Sequence, residues 1–108
     1  KVLANVPREQ FRAQTLAVEL YLEAGIRGVE IGALMSDRDP VTREVRMPKL
    51  ELLRLAIPRR VYTNNHIDVV AVALKNVFDR RLEINKGLRI TWEAPIMRHF
   101  TVQLDRAR

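Results

Sequence analysis

At 108 residues, 47% hydrophobic and 30% charged, the chain suits a single domain burying roughly two-thirds of its unfolded surface, and it does not fit a disordered polymer. The net charge of +6 raises nucleic acid as a partner. Yet the arginines are scattered from Arg8 to Arg108 among Asp and Glu, without the continuous basic stripe that phosphate backbones attract, so no nucleic-acid partner is expected.

No apolar run approaches the ~20 residues of a membrane span, and no signal-peptide pattern is present. The lack of cysteine excludes disulfides and thiolate metal sites. A soluble cytoplasmic protein is expected. The chain begins at Lys1 rather than methionine, as an excised piece of a longer polypeptide would.

After a lead-in to Val6, Pro7 suits the first turn of a helix, where its missing amide hydrogen is not needed. Ala13, Leu16, Ala17, Leu20, Tyr21 and Ala24 recur at spacings of three and four, which predicts a helix to Ala24 with Arg8, Arg12 and Glu19 off its apolar stripe. Gly25 suits the left-handed residue that ends a helix. Gly28 to Leu34 reads as a short strand, Val29, Ile31 and Ala33 alternating against Glu30. Residues 35–49 are polar, hold two prolines and show no sustained period. They predict an exposed loop, with a small hairpin open at Val41 to Val45.

Leu50 to Asp68, LELLRLAIPRRVYTNNHID, is the stretch around which the rest is organised. Leu53, Leu55 and Ile57 alternate with Leu52, Arg54 and Ala56, setting one arginine among apolar neighbours on the face opposite the main hydrophobic row. Pro58 ends the regular pairing, and Thr63, Asn64 and Asn65 offer caps for a helix starting near His66. A cation fixed on a strand before a turn and a helix makes an anion receptor. A solvated arginine on an edge strand has the same pattern.

Ile67, Val70, Ala71, Leu74, Val77, Phe78 and Leu82 form a helical stripe reaching about Ile84. Leu88 to Trp92 is a strand closed by Pro95, and Arg98 to Leu104 a last one, with Phe100, Val102 and Leu104 set against His99, Thr101 and Gln103. The order predicts a two-layer α+β sandwich, two main helices packed on a mainly antiparallel sheet of about four strands, its other face carrying Arg54, His99 and Thr101. His66 and His99 lack partners at metal-ligand spacing, and there is no phosphate loop, nucleophile elbow or Cys/His pair. His66 has a structural role in the first turn of its helix. His99 shares a strand face with Thr101.

The segments AQTLAVELYLEAGIRGVEIG, LELLRLAIPRRVYTNNHIDVVAVALK and KGLRITWEAPIMRHFTVQL resemble the C-terminal portion of the β-eliminating amino-acid lyases, the family of tryptophanase and tyrosine phenol-lyase. The resemblance runs in order from about Val6 to Leu104. It implies that residues 1–108 are a C-terminal small-domain fragment of a longer lyase, the small domain of a fold-type-I enzyme dependent on pyridoxal phosphate. The cofactor lysine would lie outside this chain, since Lys1, Lys49, Lys75 and Lys86 match no cofactor-binding segment. The resemblance also admits a monovalent cation, and it implies a homo-oligomer, a tetramer in the family.

By the same resemblance, Arg54 would bind the substrate α-carboxylate through a planar bidentate fork, His99 would recognise or protonate the leaving group, and Ile31 and Phe100 would line its pocket. Ala56 replaces a threonine common in the family, and Asp37 and Arg43 stand where glycines are common. Ile31 replaces an arginine, and His99 a phenylalanine, of tyrosine phenol-lyases. Both imply L-tryptophan as substrate, cleaved to indole, pyruvate and ammonia. Pro48 to Glu51 and Pro58 to Thr63 keep closer to the phenol-lyase spelling, which leaves that activity as the alternative. A non-catalytic basic binding module is the rival class. Alone, the 108-residue piece is expected to be inactive.

Overall fold

The computed structural model describes residues 2–36, 38–44, 46–58 and 60–107. Pro7 opens a 3-10 turn, Arg8–Gln10, before helix α1, Arg12–Ala24. The expected single helix from Pro7 is broken at Phe11, whose φ of 58° turns its side chain into the interior. Gly25, at φ 69°, ends α1 as expected and donates its N–H to the Tyr21 carbonyl. Strand β1, Val29–Ile31, and strand β2, Leu52–Arg54, pair antiparallel. Helix α2 spans Asn64–Asp79, and Thr63 caps it with a capping box through His66. It stops short of Ile84. Strand β3, Leu88–Trp92, matches its expected span and pairs antiparallel with β4, Gln103–Arg106.

The α+β class with two main helices and antiparallel strands is therefore observed. Among the described residues, the four strands form two separate pairs rather than one sheet. Alpha1 packs against α2 and against the β1–β2 pair. Leu3, Val6, Leu20, Ala73, Val77 and Ile84 make one core, with Leu53 and Leu55 of the β2 segment against it. Phe11, Ala33 and Leu34 make a second, joined by Ile90, Val102 and Leu104. The break at Phe11 lets one stretch of chain feed both.

Three expectations are corrected by long-range pairing. The last strand begins at Gln103, because Arg98–Phe100 winds into a 3-10 turn after Met97, which takes a φ of 49°. His99 therefore does not share a strand face with Thr101 or with Arg54. In β1 the polarity is inverted: Glu30 is buried at 5% exposure while Val29 and Ile31 are partly open. Glu19 likewise lies inside. Arg80 and Arg106 reach its two oxygens at 2.9 and 2.8 Å, which makes its burial tolerable.

In the segment 35–49, Asp39 and Glu44 close a tight turn, the Asp39 N–H donating to the Glu44 carbonyl at 2.8 Å. Arg43 takes a φ of 62° there, the conformation a glycine would favour. Asp37 and Val45 lie outside the described residues.

Candidate functional site

Leu53 and Leu55 are drawn into the first core, so Leu52, Arg54 and Ala56 turn outward. Pro58 then starts a turn, its carbonyl accepting the N–H groups of Val61 and Tyr62 at 3.0 and 2.9 Å. That turn delivers the chain to Thr63 and α2. Between the end of α1, the end of β2 and the first turns of α2 lies a cavity of about 630 Å³, whose lining includes Arg27, Arg54, Tyr62, His66 and Val70. Arg54 is exposed at its rim, and its side chain makes no hydrogen bond or ion pair with any described residue. Arg27, missed in the sequence, adds a second guanidinium, 5.9 Å from the Tyr21 ring.

His66 has the structural role expected of it. Its Nδ1 accepts the Thr63 N–H at 3.0 Å, and its own N–H donates to the Thr63 hydroxyl at 3.4 Å. An accepting Nδ1 leaves the ring proton on Nε2.

Ile31 sits on the same face of the β1–β2 pair as Arg54, one step along the diagonal, since Val29 faces Arg54 and Ile31 faces Leu52. It lines a smaller hollow of about 280 Å³ with Met35, Pro48, Lys49 and Leu52. Neither hollow is lined by His99 or Phe100. Those two stack on each other with centroids 4.1 Å apart, His99 half-buried and Phe100 71% exposed. The His99 Nδ1 is buried and has no hydrogen-bond partner among the described residues.

What joins the Ile31 and His99 regions is a pair of buried charges. The Glu30 carboxylate accepts the Leu34 N–H at 3.1 Å on one oxygen and the Met35 N–H at 2.9 Å on the other. Arg98, at 1% exposure, donates to the carbonyls of Leu34, Ala33 and Ser36 at 3.2, 2.9 and 3.1 Å, and to Glu93 at 2.9 Å. Glu93 takes Arg38 on its other oxygen at 2.6 Å. Burial pushes the Glu30 carboxyl above its ordinary range, against the two backbone donors, with Glu51 adding to the rise and His99 opposing it. Burial also raises Glu93, but the hydrogen bonds and charges of Arg98 and Arg38 outweigh it and hold that carboxyl low. Glu30 had a signal in the sequence, as the lone acid between two apolar strand residues. Arg98 had none.

A sequence model of the beta-eliminating lyases matches residues 4–73. The chain belongs to the beta-eliminating lyase family. It is 74% identical, over 98% of its length, to a protein of Trichomonas vaginalis named probable beta-eliminating lyase. It is 48% identical over 96% of its length to a tryptophanase of Escherichia coli O9:H4, and 47% identical over 95% to a tyrosine phenol-lyase of Symbiobacterium sp.. The chain spans 22–23% of the length of these relatives.

In this beta-eliminating lyase chain, Lys75 is committed to Asp79 at 2.6 Å on α2, Lys49 borders the smaller hollow, and Lys86 is exposed in the connection that leads into β3. Among the described residues no lysine lines the cavity beside Arg54, so these residues do not by themselves fit a pyridoxal phosphate site. Lys1 lies outside the described residues.

Proposed function

We propose that this chain is the C-terminal small domain of a pyridoxal-phosphate-dependent lyase acting on L-tryptophan, with the cofactor held by residues outside it. The observation that carries the reading is Arg54, a guanidinium at the rim of a cavity with no partner among the described residues. Two parallel charge-assisted bonds to an α-carboxylate fix orientation as well as position, and lysine cannot reproduce them. Holding the substrate by its carboxylate sets the direction of the Cα–H bond, a positioning effect that contributes several kcal/mol to a rate. His99 recognises or protonates the leaving indole, and Ile31 and Phe100 supply apolar wall. The large domain of the same polypeptide completes the site, and the whole enzyme self-associates.

In the full-length enzyme, Arg54→Ala should lower kcat/KM roughly a hundredfold for every amino-acid substrate, because two charge-assisted bonds are lost. His99→Phe should chiefly damage tryptophan. Indole release outpacing phenol release is the expected specificity, and the reverse would make L-tyrosine the substrate. Unchanged kinetics in both variants would sink the site assignment. The 108-residue chain mixed with pyridoxal phosphate should release neither product.

A further inference from the structure

The turn at residues 32–36 is gripped at both polarities. Its amide hydrogens at Leu34 and Met35 point to Glu30, and its carbonyls at Ala33, Leu34 and Ser36 point to Arg98. Gly32 makes room for this. A Cβ there would come within 2.6 Å of the Glu30 Oε1 and 3.1 Å of the Glu51 Cγ. Glu30 lies one residue before Ile31. Arg98 lies one residue before His99, and its carbonyl accepts from Thr101 and Val102 at 3.1 and 2.8 Å, so it is the pivot of the turn carrying the His99–Phe100 stack. Both grips end in groups lost to solvent, where an unmade hydrogen bond is costly and a made one holds its geometry.

We propose that Glu30 and Arg98 are positioning residues that clamp the 32–36 turn between them and so hold the His99–Phe100 stack in register with Ile31, fixing the leaving-group side of the site. The proposal rests on the lyase reading and deepens it, since Arg54 serves every substrate alike while this clamp serves only the side chain that leaves. A displacement of about 1 Å at such a group is enough to cost two orders of magnitude in rate.

The test uses the full-length enzyme with Glu30→Gln and Arg98→Lys. The glutamine is the milder change: it keeps one backbone acceptor and turns the other oxygen into an amide that opposes an N–H. For the aromatic amino acid that the wild type cleaves, kcat/KM should fall roughly tenfold or more in both variants. For 3-chloro-L-alanine, whose chloride departs without a proton and fills no aromatic pocket, it should fall by less than about threefold. Equal losses on the two substrates, or no loss on either, overturn the proposal. Wild-type enzyme inert toward both substrates overturns the lyase reading instead. The clamp is then judged by deuterium exchange at the His99 ring, read by mass spectrometry: faster exchange in both variants supports it, and an unchanged rate overturns it.

Discussion

Arg54 and Arg98 carry the same guanidinium in opposite settings. Arg98 is at 1% exposure with three carbonyls and a carboxylate around it, whereas Arg54 stands exposed with no described partner. A charge saturated by its own chain holds the fold together, because little donor capacity is left for a ligand. A charge with no described partner, on a strand whose other face is anchored by Leu53 and Leu55, has its donor fork available. The difference lies in what the partner elements supply, not in the residue.

The largest effect expected from this contrast is on stability at Arg98. Removing a buried cation strands Glu93 and three carbonyls, so Arg98→Ala should cost about 3–5 kcal/mol. Arg54→Ala should stay within about 0.5 kcal/mol of wild type, as exposed substitutions do. Denaturant titration of the two variants side by side gives the comparison. Equal losses would erase the distinction between a structural and a receptive arginine.

Next in size is a catalytic effect at Arg54. Arg54→Lys keeps the charge and loses the fork, so kcat/KM for amino-acid substrates should recover only part of the alanine loss and remain about tenfold below wild type. Full recovery would mean that Arg54 acts as a point charge, and the bidentate role would fall.

These two arginines also separate what was legible in the sequence from what was not. The alternation around Arg54, the Thr63 cap, the Gly25 terminus and the span of β3 are local: each depends on side-chain period or on the chemistry of adjacent residues. The same logic failed wherever a partner arrives from far along the chain. Alternation put Val29 and Ile31 inside and Glu30 outside, and wound Arg98 to Phe100 into a strand. It is the Arg98 side chain, bonding carbonyls some sixty residues earlier, that draws the segment into a turn. For Arg54 the pattern alone favours a solvated edge arginine, and only the resemblance points to a receptor. The cavity that it borders, and Arg27 on the same rim, come from tertiary packing of three elements.

Glu19 offers an intermediate case and a pH test. It is buried, but its partners Arg80 and Arg106 are 32% and 50% exposed. Burial raises its carboxyl, and the hydrogen bonds from Arg106 and Arg80, with their charges, more than offset that, leaving it below the ordinary glutamate range. A carboxyl lowered in the folded state contributes stability above its unfolded pKa and loses it as pH falls through the folded value. Glu19→Gln should therefore cost about 1–2 kcal/mol near neutrality, between the exposed and buried limits for ion pairs. The gap to wild type should close in acid. Glu30 runs the other way, its raised carboxyl favouring the folded state as pH falls. A gap at Glu19 that stays constant from neutral to acid pH would show that the pairs contribute nothing.

Arg43 sets the lower end of the scale, because there the side chain matters less than the backbone beneath it. Its φ of 62° costs an L-residue with a Cβ about 1 kcal/mol, which glycine does not incur. What holds the conformation is made by other groups. The Arg43 N–H donates to the Asp39 carbonyl at 2.9 Å, its carbonyl accepts from Arg38 at 3.0 Å, and the Asp39 carboxylate takes the N–H groups of Val41 and Thr42 at 2.8 and 3.0 Å. None of these needs the Arg43 side chain, so Arg43→Gly keeps the whole network. Glycine also gains freedom in the unfolded chain, which cancels part of the relief. The net expectation is a gain of about 0.5 kcal/mol, with activity unchanged. A loss of stability on making this variant would mean that the Arg43 guanidinium belongs with Arg98, as a cation the fold uses, rather than with residues it merely tolerates.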